Sequence, residues 1–585
     1  MVPAQAHAMS VADSRRLTGS SLLLDAPGAI LDIHIDDAIR DQAIAAWRVA
    51  AKRLLDLVGW PGQRLATRTF AGGVSLALTA PPDALYAATD LNEAAWARAW
   101  AETDGQPPET EEVVARRLRE AIAAERHPAL LALREAARAR DLTFLAGEGT
   151  VSIGSGTGAA VWPDSDLPEA GSVDWSRVHD IPAALVTGSN GKTTVVRLLA
   201  SMASAAGFVT GQASTEGVSV GGTTVDQGDY SGPSGARLVL RQPDVELAVL
   251  ETARGGLLRR GLSVERASVA VVTNVADDHL GEFGIQDLDT LADVKLLVAR
   301  AVRPGGAVVL NADDPRLRAR GEHLPTPVVW FTLEPEQPWL ARHLEAGGRA
   351  ALWEDCTLVL AEGPMRTVVA NVEAVPIAIG GAARHNVANA LAATAAAVVL
   401  GLPLAAVERA LARFGTPADE NVGRANTIEL GGVQLVIDFA HNPHAMAALA
   451  DMVAALPARR RLLLLGQAGD RSDEAIRELA RAALDLRPDR VVLKEMERYL
   501  RGRPPGETSA ILADELLRHG FPPDAISRPG DELASVREAL TWARPGDLLL
   551  LTVHQDRPQV MALVEELRKR GWKAGEVVGR EGVKA

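Results

Sequence analysis

The segment Gly188-Ser-Asn-Gly-Lys-Thr-Thr194 follows a short apolar run, Ala183 to Thr187, and opens a stretch with helical character that reaches Gly207. Strand, glycine turn, Lys-Thr and helix in that order are what a phosphate-binding loop requires. Gly188 and Gly191 let the backbone N–H groups of Ser189, Asn190 and their neighbours turn toward phosphate oxygens, with Thr194 in the helix's first turn. Lys192 brings a point charge to the outer phosphates and the Thr193 hydroxyl suits Mg²⁺, so the expected ligand is a nucleoside triphosphate. The spacing departs from the common pattern, since the position five before Gly191 is Val186 and the earlier glycine is Gly188.

Other reactive side chains cluster where apolar runs stop. Glu251 ends Leu247-Ala-Val-Leu-Glu251, where its carboxylate would either help hold Mg²⁺ or cap a following helix. Asn274-Val-Ala-Asp-Asp-His279 follows the next run and offers His279 as a metal ligand or as a residue that orients one. Lys295 falls in an expected helix, Leu288 to Val302, and alone reads as a solvated lysine. Asn386 and Asn389 lie three apart on one helix face, suited equally to an adenine edge or to capping. Asp438 and His441 emerge together after Val433 to Asp438, and Arg471 follows the next run in Gly466-Gln-Ala-Gly-Asp-Arg471, where a guanidinium meets carboxylate or phosphate.

Such strand ends need parallel sheets to align them. The runs Ala183 to Thr187, Leu247 to Glu251, Val269 to Asn274 and Ala307 to Asn311 alternate with helical segments, which predicts a doubly wound α/β domain over 176–423. A second, smaller unit of the same kind is expected over 424–585, with strands at Val433 to Asp438, Arg461 to Gly466, Val491 to Lys494 and Asp547 to Thr552. Residues 1–175 form a separate α+β region with strand-like runs Ser21 to Leu24, Ala29 to His34 and Gly73 to Leu78, and a helical stretch from Glu109 to Arg140. The glycine- and serine-rich stretch Gly147 to Gly158 reads as a flexible boundary, with a phosphate grip as the alternative.

Composition narrows the class. With 61 basic and 75 acidic residues the net charge is −14, which gives no field to gather nucleic acid. One cysteine, Cys356, allows neither an internal disulfide nor a cysteine metal cluster, and a cytoplasmic setting is expected. Ala390 to Val407 is the nearest approach to a membrane span, but Gly401 and Pro403 make it helix, turn and helix, so no membrane role is expected.

Taken together these motifs resemble the Mur ligase superfamily of ATP-dependent amide-bond formers, and within it the Mur-ligase half of cyanophycin synthetases. The segments that carry the resemblance are Gly228-Asp-Tyr-Ser-Gly-Pro-Ser-Gly-Ala-Arg237, Glu251-Thr-Ala-Arg-Gly-Gly-Leu-Leu-Arg259, Thr273-Asn-Val-Ala-Asp-Asp-His-Leu-Gly281, Asn311-Ala-Asp-Asp-Pro315, Asp438-Phe-Ala-His-Asn-Pro443, and Lys494-Glu495 with Arg501-Gly-Arg-Pro504. The resemblance implies that ATP and Mg²⁺ bind through Lys192, Thr193, Glu251 and His279. It further implies that Lys295 is the family lysine often found carbamylated, supporting a second Mg²⁺, that Asn386 and Asn389 meet the adenine, and that Arg424 is the hinge arginine beside the nucleotide. Asp438 would contact nucleotide, and His441, Arg471, Lys494 and Glu495 the substrate. The implied activity joins an amino acid to a peptide or amino-acid carboxylate through an acyl phosphate, with oligomeric state left open. About 175 residues cannot hold both an amino-terminal domain and the ATP-grasp domain of cyanophycin synthetases, so synthesis of cyanophycin from free amino acids is not expected. The rival readings are a ligase extending another γ- or β-linked peptide, such as a polyglutamate or a cell-wall fragment, and a non-catalytic nucleotide-binding partner of a full-length synthetase.

Overall fold

The computed structural model describes residues 9–103, 106–277, 280–416 and 426–579. The amino-terminal region is α+β. Its antiparallel sheet runs in the order Met9–Leu17, Gly28–Ile35, Gly73–Thr79, Leu65–Phe70. Alternate residues Ala29, Leu31, Ile33 and Ile35 pack against Trp47, Leu54 and Leu91 of the helices Asp37–Leu57 and Leu85–Thr103, as a period of two dictates.

Three expectations for this region are corrected. Ser21 to Leu24 is a turn and not a strand, because the Ser21 hydroxyl accepts the amides of Leu23 at 3.3 Å and Leu24 at 3.1 Å and so satisfies the backbone locally. The stretch Glu109 to Arg140 is two helices, Glu111–Glu125 and Pro128–Ala139, divided before Pro128, which lacks an N–H and suits a helix start. Gly147 to Gly158 is part of a three-stranded antiparallel sheet, Phe144–Gly147, Thr150–Ile153 and Ala160–Pro163. Gly154, Gly156 and Gly158 serve close packing. A Cβ on Gly156, whose φ is +56°, would stand 2.2 Å from the Val245 carbonyl oxygen.

Among the described residues the central sheet has 11 strands, and its parallel core runs Thr210–Ser214, Leu247–Glu251, Ala183–Thr187, Ala267–Val272, Val302–Asn311, Val328–Thr332, Arg349–Glu354. Register pairs Glu251 with Val186 and Val272 with Thr187, so three strands end at one level. Both faces are covered: Ala184 and Val186 pack with the helices Lys192–Ala205 and Arg384–Val399, while Ala183 and Leu185 pack with Leu291, Val294 and Leu297. The helix expected from Leu288 to Val302 runs as Leu288–Lys295, then a 3₁₀ segment to Ala301, and Val302 already begins a strand.

Among the described residues the carboxy-terminal sheet has 6 strands in the order Asn426–Leu430, Val433–Asp438, Leu548–Thr552, Arg461–Leu465, Arg490–Lys494, Ile526–Gly530, all parallel except the first. Its leucine-rich central strands are buried on both faces, as the runs of consecutive apolar residues require. Among the described residues no helix is long and apolar enough to cross a membrane.

The amino-terminal sheet is docked on the central domain. Arg68 donates to the carbonyls of Phe283 and Gly284, each at 2.8 Å, and Arg15 Nε donates to Leu258 O at 2.8 Å. It therefore braces the loop just beyond residues 278–279 and the helix Arg254–Arg260.

Candidate active site

A cleft of about 1040 Å³ opens at the ends of the central strands and is closed on its far side by the carboxy-terminal domain. One wall holds Gly188 to Thr194, Glu251, Arg254 and Lys295, and the other holds Asp438 to His441 and His444.

The glycine turn is held open from beneath by the loop that follows Val272. Asn190 N donates to Asn274 Oδ1 at 2.9 Å, Thr273 Oγ1 donates to Asn190 O at 2.6 Å, and Ser189 Oγ donates to Ala276 O at 2.8 Å. Both glycines are obligatory by contact as well as by conformation. Gly188 has φ +147° and its Cβ would fall 1.8 Å from Thr273 Oγ1; Gly191 has φ +84° and its Cβ would fall 2.2 Å from Asn389 Oδ1. Gly191 precedes the helix Lys192–Ala205, among the described residues no side chain caps that helix start, and its first residues Lys192 to Thr194 line the cleft. Lys192 Nζ donates to Ser189 O at 3.0 Å, curled back over the turn.

Thr193 Oγ1 donates to Glu251 Oε2 at 2.9 Å and lies 3.3 Å from Thr215 Oγ1, while Thr215 N donates to the same Glu251 oxygen at 3.4 Å. Glu251 is 2% exposed, and the register of its strand puts it beside the turn. This set of two hydroxyls and a carboxylate is hard and oxygen-only, which fits Mg²⁺. Among the described residues no three His, Cys, Asp or Glu side chains converge as a metal cluster. His279 and Arg424 lie outside the described residues. Lys295 is buried at 2% exposure yet lines the cleft, so it is not the solvated lysine that its position on a helix suggests by itself.

Asn386 and Asn389 both line the cleft, and their amides are already engaged. Asn386 Nδ2 donates to Ile377 O at 3.0 Å and Asn389 Nδ2 to Asn386 Oδ1 at 3.2 Å. Asn389 thus stands against Gly191. On the opposite wall Asp438 Oδ1 accepts the Ala440 amide at 2.7 Å and ties down its own loop, and His441 lines the cleft with its Nδ1 3.0 Å from Phe439 O. The two walls touch where Asn190 Nδ2 donates to His444 Nδ1 at 3.0 Å and Asn442 Nδ2 donates to Asn190 Oδ1 at 3.1 Å.

Arg471, Lys494 and Glu495 do not reach the cleft wall; Asp470 and Arg501 do. Lys494 is wholly buried and ion-paired with Glu532, donating also to Thr552 O and, at 2.7 Å, to His554 Nδ1. Burial pushes its ammonium down to about 8 even with Glu532 beside it. Gly466 makes way for the lysine, since a Cβ there would meet Lys494 Cγ at 2.6 Å. Because the ammonium points into the sheet, Lys494 organises the domain interior. Glu495 Oε2 accepts Gly506 N at 2.7 Å ahead of the helix Glu507–Arg518, and the Arg471 carbonyl accepts Arg503 Nη2 at 2.7 Å.

Sequence reasoning passed over Thr215, Asn442 and His444. Thr215 follows the strand Thr210–Ser214 and obeys the same strand-end rule as Glu251. Pro443 begins the helix Pro443–Ala454, and that start places His444 in the first turn, facing Asn190.

Residues 186–397 match the family model described as the Mur ligase middle domain, and residues 423–553 that described as Mur ligase, glutamate ligase domain. A cyanophycin synthetase of Trichormus variabilis is 38% identical over 372 residues, which are 63% of this chain and 41% of that protein. The UDP-N-acetylmuramoyl-L-alanyl-D-glutamate–2,6-diaminopimelate ligase of Pseudomonas aeruginosa is 28% identical over 390 residues, 64% of this chain and 73% of that protein. Among solved structures, E. coli FolC in complex with DHPP and ADP is similar at a TM-score of 0.49 and 20% identity, covering 66% of this chain and 89% of that one. The chain thus spans 41% of the length of the Trichormus relative.

Proposed function

We propose that this chain, which belongs to the Mur ligase family through residues 186–397 and 423–553, uses ATP to join a carboxylate to an amine. The observation that carries the reading is the facing of Lys192, Thr193 and Glu251 across one cleft by Asp438 and His441 of a second domain. A lone nucleotide site needs no second wall. A ligase does, because an activated acyl group must be kept from water until the amine arrives.

In this reading the substrate carboxylate oxygen attacks the γ-phosphorus of ATP and ADP leaves, giving an acyl phosphate. The amine nitrogen then attacks the carbonyl carbon, phosphate departs, and the nitrogen loses a proton as the amide forms. Lys192 and the open helix N-terminus hold the phosphates, so the protein's task is positioning and charge neutralisation. Thr193 and Glu251, with His279, would hold Mg²⁺, which when bound neutralises phosphate charge. Lys295, buried in the same wall, is proposed as the residue whose amine takes up CO₂ to become an anionic carbamate. Asn386 and Asn389 are proposed to border the nucleotide, with Arg424 at the domain hinge. The cations Arg254, Arg259 and Arg260 along the wall suit the carboxylates of an acidic peptide or amino acid, and the amine is proposed to come from an amino acid held near His441.

The test is incubation with ATP, Mg²⁺ and pools of dipeptides and amino acids, reading phosphate release and new product masses. Lys192→Ala should abolish both and keep the melting profile. The reading falls if the wild-type protein consumes no ATP with any pool, or if the variant keeps the normal rate.

A further inference from the structure

Arg557 opens the helix Arg557–Lys569 of the carboxy-terminal domain, far in sequence from the phosphate turn, yet its Nη1 donates to Glu216 Oε1 of the central domain at 2.6 Å. Glu216 is shared: its other oxygen is ion-paired with Arg197, on the helix that begins at Lys192. Both ends are mostly buried, with side-chain exposures of 13% for Arg557 and 17% for Glu216. A pair of that kind is less screened than a surface ion pair.

The pair has a neighbour on each side that belongs to the cleft. Thr215, next to Glu216, is within 3.3 Å of the Thr193 hydroxyl and donates its amide to Glu251. On the other side the Arg557 guanidinium lies over the Phe439 ring, 5.1 Å from its centroid. Phe439 in turn packs edge-on against His441, with ring centroids 5.4 Å apart. A continuous run of contacts therefore joins the candidate metal side of the cleft to His441 on the opposite wall. The Asn190 contacts to Asn442 and His444 join the same two domains at the glycine turn, but through neutral amide and imidazole groups.

We propose that Arg557 is a positioning residue for ligation: its bridge to Glu216 holds the carboxy-terminal domain closed over the phosphate turn, and its face on Phe439 keeps His441 in its place on the cleft wall. The proposal rests on the ligase reading for its catalytic consequence and on the geometry alone for closure. Closure matters because small displacements of the two walls separate the reacting groups.

The test is a cycle of Glu216→Gln, Arg557→Gln and the double variant. Phosphate release with the amino-acid and dipeptide pools should fall about tenfold in each single variant, and the double should be no slower than the slower single, as for two members of one unit. Melting temperature should fall by a few degrees, as for a mostly buried pair, and by more in Glu216→Gln, which also strips Arg197, than in Arg557→Gln, whereas turnover should fall equally in both. Small-angle scattering with Mg²⁺ and the non-hydrolysable analogue AMP-PNP should show a larger radius of gyration for the variants. The inference is overturned if scattering matches wild type, if the effects on turnover multiply, or if melting falls in step with activity. Should the wild-type protein show no turnover at all, the ligase reading fails while the scattering comparison still decides the latch.

Discussion

Gly191→Ala should injure nucleotide binding for two separable reasons. A Cβ at this position would have to adopt φ +84° and would stand 2.2 Å from Asn389 Oδ1. The left-handed conformation costs about 1–2 kcal/mol for a residue with a Cβ. Displacing Asn389 from its rotamer adds about 0.5–1.5 kcal/mol. Losing its 3.2 Å hydrogen bond to Asn386 adds about 1 kcal/mol more. The sum is roughly 2.5–4.5 kcal/mol, which lowers the melting point of a unit of about 150–250 residues by roughly 5–18 °C. Calorimetry of the nucleotide-free protein reads this, and titration with Mg²⁺ and AMP-PNP reads the accompanying loss of affinity. Asn389→Ala removes the obstructing oxygen, so the double variant should recover roughly 1.5–2.5 kcal/mol relative to additivity while the conformational part persists. Melting and affinity unchanged in Gly191→Ala, or strict additivity in the double variant, would refute the steric argument.

Two further outcomes concern the interior of the carboxy-terminal domain. Lys494→Met leaves the buried Glu532 carboxylate without its cation, and although the amides of His554, Gln555 and Asp556 still donate to it at 2.7 Å, stability should fall by about 3–5 kcal/mol, read by calorimetry; a shift under about 2 °C would show the pair to be dispensable. His554 is held well below its ordinary 6.5 by burial and by the Lys494 ammonium. Its stabilising contribution is therefore complete above pH 6.5 and is lost as pH falls through 6.5 toward the folded value, because only the unfolded chain binds the proton there. His554→Gln should flatten the decline in melting temperature below pH 6.5, and an unchanged slope would show that other groups carry it.

The strand-end rule places Lys192, Thr193 and Glu251 at one end of the central sheet and Asp438 and His441 at one end of the carboxy-terminal sheet, because a parallel sheet aligns the carboxyl ends of its strands and the apolar runs that mark those strands are visible in the chain; that the two ends line one cleft is the work of domain docking. It failed for Lys494, which also ends a strand, because sequence does not say whether a long side chain leaves the sheet or folds back beneath it. Only the packing of Glu532 and His554 around the ammonium, in space cleared by Gly466, turns it inward. Ser21 to Leu24 shows the same limit at short range, where one hydroxyl satisfies the backbone and removes the need for a strand partner.

Local chemistry written along the chain thus determined the glycine turn and the strand segments at whose ends the reactive groups emerge, because each depends on residues within a few positions of one another, whereas the register that levels those ends pairs residues as distant as Thr187 and Val272. Tertiary structure alone decided that Thr215 joins Thr193 and Glu251, that the amino-terminal sheet braces the loop at Phe283 and Gly284, and that Arg557 reaches Glu216 across the cleft. Those contacts join segments up to 341 positions apart, and no periodicity records the distance between residues that only domain docking brings together.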